Sequence, residues 1–298
     1  MAGQTMELAG AVLAVDGGGS RCRMALVLGD GQRWMVEAGP TNVSSDFQGA
    51  CDTLRQGLRD LANAAQVPFE RLVAVPAYLG LAGVTHAELA QRVAAALPLA
   101  QCEVGEDQRI ALRAALGRDA GAVAHCGTGS FFGVQAGAQI RLCGGWGLTL
   151  GDEASAAWLG RRALNLTLAE ADGLRARSDL GQGLLQDLGP APQIVAWAAQ
   201  ASPAHFGALA RRVTAAAATG DVMAAEVMQA GAGHIAHVLE QMGWQTGQTL
   251  CLTGGLGPQY ASYLPDRMQA AVTPPQAEPL EGAVDFARAR VAAQEAGQ

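Results

Sequence analysis

Residues 11–15 are apolar without interruption, and Asp16-Gly17-Gly18-Gly19-Ser20 follows at once. An apolar run that short reads as a buried strand, and the alternation resumed over residues 23–28 reads as its hairpin partner. Across residues 8–38 the pattern predicts a three-stranded meander, with Gly29-Asp30-Gly31 as its second turn. Leu54, Leu58 and Leu61 recur at helical spacing and predict a helix over 47–65. Residues 72–79 read as a strand leading into Gly80-Leu81-Ala82-Gly83, and 87–96 as a helix halted by Pro98. A short strand over 101–104 precedes Glu106-Asp107, and a helix over 108–116 comes next.

The order then repeats. Residues 120–126 predict a strand, Gly127-Thr128-Gly129-Ser130 a turn, 131–135 a second strand and 139–142 a third. A helix-rich stretch covers 153–242, with loops expected around 181–183 and 189–192. A last strand over 250–252 enters Thr253-Gly254-Gly255-Leu256-Gly257, and the tail over 280–292 is helical. Two halves that each open with strand, glycine turn and strand indicate an internally duplicated α/β architecture. The halves are expected at 1–115, completed by the C-terminal helix 280–298, and at 116–279 with a helical insertion; a linker helix falls near 108–118. A ligand would lie in the cleft between them, where ligand sites commonly form.

Composition narrows the class. A chain of 298 residues can bury a large core, and 50% hydrophobic with 16% charged residues is the balance of a globular protein. A formal net charge of −7 argues against a general nucleic-acid binder, which needs a basic surface. Six cysteines stand singly, with no CxxC pair, as expected in a reducing cytoplasm. Residues 1–7 carry no basic stretch of the kind that opens a signal peptide, and no apolar run reaches membrane-spanning length.

The chemistry concentrates in the glycine turns. Glycines permit positive φ and close approach of a ligand to the backbone, and successive N–H groups can cradle an anion. A carboxylate at the strand end can hold a hydrated metal ion. Taken singly, each turn is equally a plain tight turn, and the one at Gly254-Gly255 equally a helix-entry loop. Asp107 sits where Asp commonly caps a helix, Asn42 is a common turn residue, and Asp152-Glu153 can simply open a helix. His234 and His237 are spaced i,i+3 without a third ligand candidate nearby, which favours packed or solvated side chains over a metal site. His125 reads as a strand residue close to the second turn, and nothing in the sequence marks Cys126 as a nucleophile.

Three glycine-hydroxyl turns at strand ends, in this order, resemble the two phosphate loops and the adenosine loop of the actin, Hsp70 and hexokinase superfamily. Asp16-Gly-Gly-Gly-Ser20, Gly127-Thr-Gly-Ser130, Gly144-Gly-Trp-Gly147 and Gly151-Asp-Glu153 further resemble the amino-sugar kinases grouped with the BadF/BcrA-type ATPases. The resemblance implies two ribonuclease-H-like domains and ATP-dependent phosphorylation of the 6-hydroxyl of an amino sugar, with glucosamine ahead of N-acetylglucosamine. It also implies ATP and Mg²⁺ as cofactors, and it leaves room for a homodimer.

By the same resemblance, Asp16 holds Mg²⁺ through water, while Gly18, Gly19, Ser20 and Arg21 meet the β- and γ-phosphates. Gly127, Thr128, Gly129 and Ser130 form a second clamp, and Gly254 and Gly255 contact adenosine. Asn42, Ala82, Gly83, Gly145, Trp146 and Asp152 line the sugar, and Asp107 acts as base. The family shows Asn-Asp or Thr-Asp at the base, so Glu106 is a departure and a weaker rival for the role; Ser20 stands where Thr is common. A related group, the ATPases that activate CoA-ester dehydratases, holds an iron–sulfur cluster through cysteines, and no cysteine arrangement here clearly supports that. A sugar sensor without catalysis fits poorly with a chain that keeps both Asp16 and Asp107.

Overall fold

The computed structural model describes residues 7–137 and 139–296. The segment before Glu7 that bears on a signal peptide, and the last two residues of the expected C-terminal helix, lie outside them. The chain separates into two compact units, one made of residues 1–118 and 276–298, the other of 119–275.

The first unit opens with strands β1 (Val12–Gly17), β2 (Cys22–Val27) and β3 (Arg33–Ala38), paired antiparallel as a meander. Helix α1 (Phe47–Ala65) follows, capped by the Asp46 carboxylate accepting the Gly49 N–H and closed by Gln66 in the left-handed conformation. Its buried stripe includes Leu54, Leu58 and Leu61, the three residues whose spacing predicted it. Next come α2 (Phe69–Leu72), β4 (Ala77–Leu81), α3 (Ala87–Ala96), β5 (Cys102–Glu106) and α4 (Asp107–Leu116). The sheet order is β3-β2-β1-β4-β5, with β1, β4 and β5 parallel. β1 is buried on both faces: Leu13 and Val15 face the core under α1 and α3, while Val12 and Ala14 face α4 and α12 (Pro279–Ala296).

The second unit repeats the plan with β6 (Gly121–Cys126), β7 (Ser130–Ala136), β8 (Gln139–Gly144) and β9 (Thr249–Thr253), ordered β8-β7-β6-β9 with β6 and β9 parallel. Between β8 and β9 run α5 (Ala156–Ala171), α6 (Asp179–Leu188), α7 (Ala191–Gln200), α8 (Pro203–Ala208), α9 (Ala210–Ala218) and α10 (Val222–Gln241). A 3₁₀ turn (Gly257–Tyr263) and α11 (Asp266–Gln269) follow β9. No helix among the described residues is long and apolar enough to cross a membrane.

Three local expectations shift. Residues 72–79 are not one strand: Leu72 ends α2, and β4 starts only after Pro76, which lacks an N–H to donate to a ladder. Gly181 and Gly183 are not a loop but lie inside α6. A Cβ on Gly181 would fall 2.1 Å from Glu170 Oε2, so the missing side chain is what lets α6 approach α5. Helix α4 is not a linker, because it packs against α12 as a layer of the first unit.

The α4–α12 contact is backbone-tight. A Cβ on Gly282 would lie 2.0 Å from the Ile110 carbonyl oxygen. Gly282→Ala should therefore cost about 2–3 kcal/mol, the usual penalty of overpacking. Gly233→Ala, on an exposed position of α10 with nothing within 4 Å, should gain up to about 1 kcal/mol. Urea denaturation of the two variants checks both, and a neutral Gly282→Ala would refute the packing account.

Candidate functional site

Parallel strands bring their carboxyl ends to one sheet edge, and loops leaving that edge make ligand sites in open α/β folds. In the first unit Asp16 on β1 stands in register with Gly80 on β4 and Gly105 on β5. The chain continues from those ends into the Gly17–Arg21 turn, the Ala82-Gly83 loop and Asp107 at the start of α4. Backbone bonds stitch these loops together: Ala82 N–H donates to Gly17 O at 2.7 Å, Thr41 N–H to Gly18 O at 3.0 Å, and Val43 N–H to Ala82 O at 3.1 Å. Gly17 is closely packed: a Cβ there would fall 2.4 Å from Thr41 Oγ1 and 2.5 Å from Leu81 Cδ2, so both side chains would have to shift.

Within the first turn, Gly18 spends its N–H on Arg21 O at 2.9 Å, so that donor is not available to a phosphate as the sequence led us to expect. Gly19 and Ser20 are exposed, and their N–H groups make no hydrogen bond among the described residues. Asn42 organises a turn with its side-chain oxygen, which accepts from Ser44 N, Ser44 Oγ and Ser45 N at 3.0–3.2 Å. Its amide donors remain free of any internal bond among the described residues. Gly83 adopts φ +83° directly against that oxygen, where any Cβ would collide.

The two acidic residues at this edge have opposite surroundings. One oxygen of Asp16 accepts both Arg23 Nη2 at 2.7 Å and Arg23 Nε at 3.2 Å, leaving the other unengaged. Arg23 was missed as a site residue, yet the hairpin register pairs it directly with Asp16, so the signal lay in the turn length. Asp107 occupies the first turn of α4. Burial pushes its carboxyl up to about 6; the charges of Asp16 and Glu106 add to this, while the N–H groups of Gln108 and Asp107 itself oppose it. Glu106 takes the capping position without using its side chain.

In the second unit the Gly127–Ser130 turn leaves β6 beside the end of β9. Gly254, at φ +77°, leaves no room for a Cβ, which would lie 2.4 Å from Cys126 O, and Leu256 N–H donates to that same oxygen at 2.9 Å. The N–H groups of Thr128 and Gly129 are unspent among the described residues. Ser130 is different, being buried with its hydroxyl used: Oγ donates to Glu153 O at 2.6 Å. That hydroxyl anchors the turn and is not available to a phosphate, which corrects the expectation from the sequence.

His125, one strand position before Cys126, pairs with Thr253 at 3.1 Å and stacks on Phe131; burial pushes it below the ordinary histidine range. Cys126 is fully buried, and its thiol is pushed far above the ordinary range. His234 lies 4.0 Å from Glu153 and against Phe132. Gly145 donates its N–H to Ser130 O at 2.9 Å, and Trp146, between glycines at φ +76° and +79°, is 72% exposed. A cavity of about 490 Å³ opens beside the turn, bounded by Gly127 and Thr128, by Gly255 and Gln259, and by Arg211 and Thr214 of α9. That volume suits a nucleoside. The α9 residues were missed because nothing in an Ala-rich helix distinguishes a cavity wall from a core face.

Duplicated mixed sheets with a glycine turn after the first strand of each define the two-domain architecture shared by sugar kinases of the actin-like type. The sequence model of the BadF/BadG/BcrA/BcrD ATPase family matches residues 13–287, and the chain belongs to that family. It is 27% identical over 284 residues to the glucosamine kinase GspK of Vibrio cholerae, covering 92% of this chain and 95% of that protein. A solved Chromobacterium violaceum protein provisionally named N-acetylglucosamine kinase shares 30% identity with a TM-score of 0.78, over 93% of this chain and 98% of the other. A glucokinase of the ROK family from Streptomyces griseus, solved with glucose and AMPPNP, shares the fold at 18% identity and a TM-score of 0.54, over 94% and 99% of the two chains.

The raised Asp107 carboxyl has a consequence for stability. Its folded value near 6 exceeds the usual 3.8, so the folded protein holds more protons between those values and stability falls as pH rises through that window. Asp107→Asn should thus be more stable than the parent at pH 7.5, by on the order of 1–2 kcal/mol given its partial exposure, with no gain near pH 3. Urea melts at the two pH values check this; an equal gain at both would refute it.

Proposed function

We propose that this ATPase-family protein is an ATP-dependent amino-sugar kinase that transfers the γ-phosphoryl group to the 6-hydroxyl of glucosamine. The observation that carries the reading is Asp107: a carboxylate at a strand-end edge, held near neutrality by burial and next to the Asn42 and Gly83 loops. Phosphoryl transfer asks little covalent chemistry of a protein; it needs donors on the phosphates and a base on the acceptor hydroxyl. Asp107 takes the proton of the 6-hydroxyl, and a base with an elevated pKa is better matched to that task than an ordinary carboxylate.

The Asn42 amide and the Ala82-Gly83 loop suit a sugar's hydroxyls, and in the second unit the exposed Trp146 indole beside Gly145 suits a sugar's face. Gly19 and Ser20, and separately Thr128 and Gly129, keep N–H groups unspent among the described residues, so each turn offers donors suited to phosphate. The cavity lined by Gly255 and Gln259 takes the adenosine. Asp16 fits a hydrated Mg²⁺: one carboxylate oxygen is unengaged, Mg²⁺ keeps most of its waters, and the described residues contain no cluster of three ligands that would make a closed protein cage. When bound, Mg²⁺ neutralises charge on the phosphates; the chain's part is to hold it with Asp16, which Arg23 keeps oriented.

N-acetylglucosamine is the second reading, favoured by the Chromobacterium relative, as glucosamine is by the Vibrio one. A coupled ADP-release assay with glucosamine, N-acetylglucosamine and glucose tests both. Stimulation by an amino sugar is expected, and absence of stimulation by any of them would overturn the kinase reading. Asp107→Asn should lower kcat about 10²- to 10⁴-fold with little change in sugar KM. In the parent, kcat/KM should climb with pH through about 6 and then level off, as the base must be ionised to act. A flat profile between pH 5 and 8 would remove Asp107 from the role.

A further inference from the structure

The two strand–turn–strand openings can be laid over each other position by position. In the first unit Asp16 is the next-to-last residue of β1, opposite Arg23 on β2 and beside Gly80 on β4. In the second unit the next-to-last residue of β6 is His125, opposite Phe131 on β7 and beside Thr253 on β9. His125 therefore stands where the first unit places its candidate metal carboxylate, and it carries no role in the kinase reading.

Its imidazole is fixed on two sides. Phe131 stacks on the ring with centroids 5.0 Å apart, and Nδ1 lies 3.1 Å from Thr253 Oγ1. The cross-strand neighbour orients His125 as Arg23 orients Asp16, but by ring contact in place of charge. The third side meets the turn: a Cβ on Gly127 would lie 3.1 Å from Nε2, so the ring edge rests against the glycine backbone. Nε2 makes no hydrogen bond among the described residues.

Gly127 has no polar group to spare at that point. Its N–H donates to Gly129 O at 2.9 Å, and its carbonyl accepts Ala156 N–H at 2.9 Å. Yet Gly127 and Thr128 bound the cavity of about 490 Å³. An anion at the Gly127 end of the turn thus needs a donor from a neighbouring residue, and Nε2 is an unspent polar atom there. Burial holds the imidazole neutral, with one N–H and one lone pair. When Thr253 Oγ1 donates to Nδ1, the proton sits on Nε2; an anion on the turn selects that tautomer, because a lone pair facing it would be repelled.

We propose that His125 is a phosphate-binding residue of the second unit, donating Nε2–H to a phosphate oxygen of a nucleotide lodged on the Gly127–Ser130 turn. The proposal rests on the reading of that turn as a phosphate site. The same strand position then serves phosphate in both units by different chemistry, through a carboxylate suited to a cation in one and a neutral donor in the other.

Calorimetric titration of Mg-ADP into the full chain and its variants, with adenosine as control ligand, tests this. His125→Ala should weaken Mg-ADP binding about 10-fold or more, the usual loss of a hydrogen bond to a charged group, and leave adenosine binding unchanged. His125→Gln, whose side-chain amide keeps a donor, should recover most of that loss. An imidazole that only packs the turn would lower both ligands alike and gain nothing from Gln, and that result overturns the proposal. Nitrogen-15 NMR of the five histidine side chains keeps it falsifiable if His125→Ala does not fold. Mg-ADP should move the His125 Nε2–H resonance and adenosine should not; an unmoved resonance refutes the contact. If the parent binds no Mg-ADP, the nucleotide reading fails together with the proposal, whereas equal Mg-ADP affinity in parent and variants sinks the proposal alone.

Discussion

Close approach of neighbouring groups to the backbone at the ends of the parallel strands is the constraint on which both units depend. At Gly17 the β1 chain passes so near Thr41 and Leu81 that a Cβ would collide with both side chains; at Gly254 the β9 chain passes as near the Cys126 carbonyl. Each approach aligns backbone donors and acceptors that would otherwise be buried unsatisfied, and these bonds then set the loops. Ala82 N–H on Gly17 O and Leu256 N–H on Cys126 O are corresponding stitches in two units of different sequence. The glycine turns keep exposed N–H groups because their neighbours' hydrogen bonds are already met elsewhere.

Electrostatics differentiates what that geometry brings together. Asp16 and Asp107 share one sheet edge in the first unit, but Arg23 compensates Asp16 while burial discourages charge on Asp107. Asp16 is thereby held in place by its arginine, and Asp107 is suited to exchange a proton near neutral pH. In the second unit Asp152 accepts the Gly147 N–H, while burial pushes its carboxyl above the ordinary range.

Much of the fold was legible in the sequence because period and punctuation agreed there. Helix α1 follows from the Leu54, Leu58 and Leu61 spacing, and the two meanders from strand-length apolar runs broken by glycine turns. The reading went astray where glycine served packing instead of punctuation. Gly181 looks like a loop residue, and only the Glu170 carboxylate lying against it explains a glycine inside a helix. Residues 72–79 form one apolar run, and Pro76 divides it because a ladder needs a donor there.

The sequence by itself determined the α/β class, the duplicated strand–turn–strand openings and the residue types at each turn, since these depend on local propensity and on spacing along the chain. Tertiary structure alone decided how each of those groups is used. Gly18 N–H is consumed by Arg21, the Ser130 hydroxyl is consumed by Glu153, and Asn42 spends its oxygen on its own turn. Hydrogen-bond donors and acceptors are finite, and which of them remain for a ligand is settled only when distant segments meet and satisfy one another.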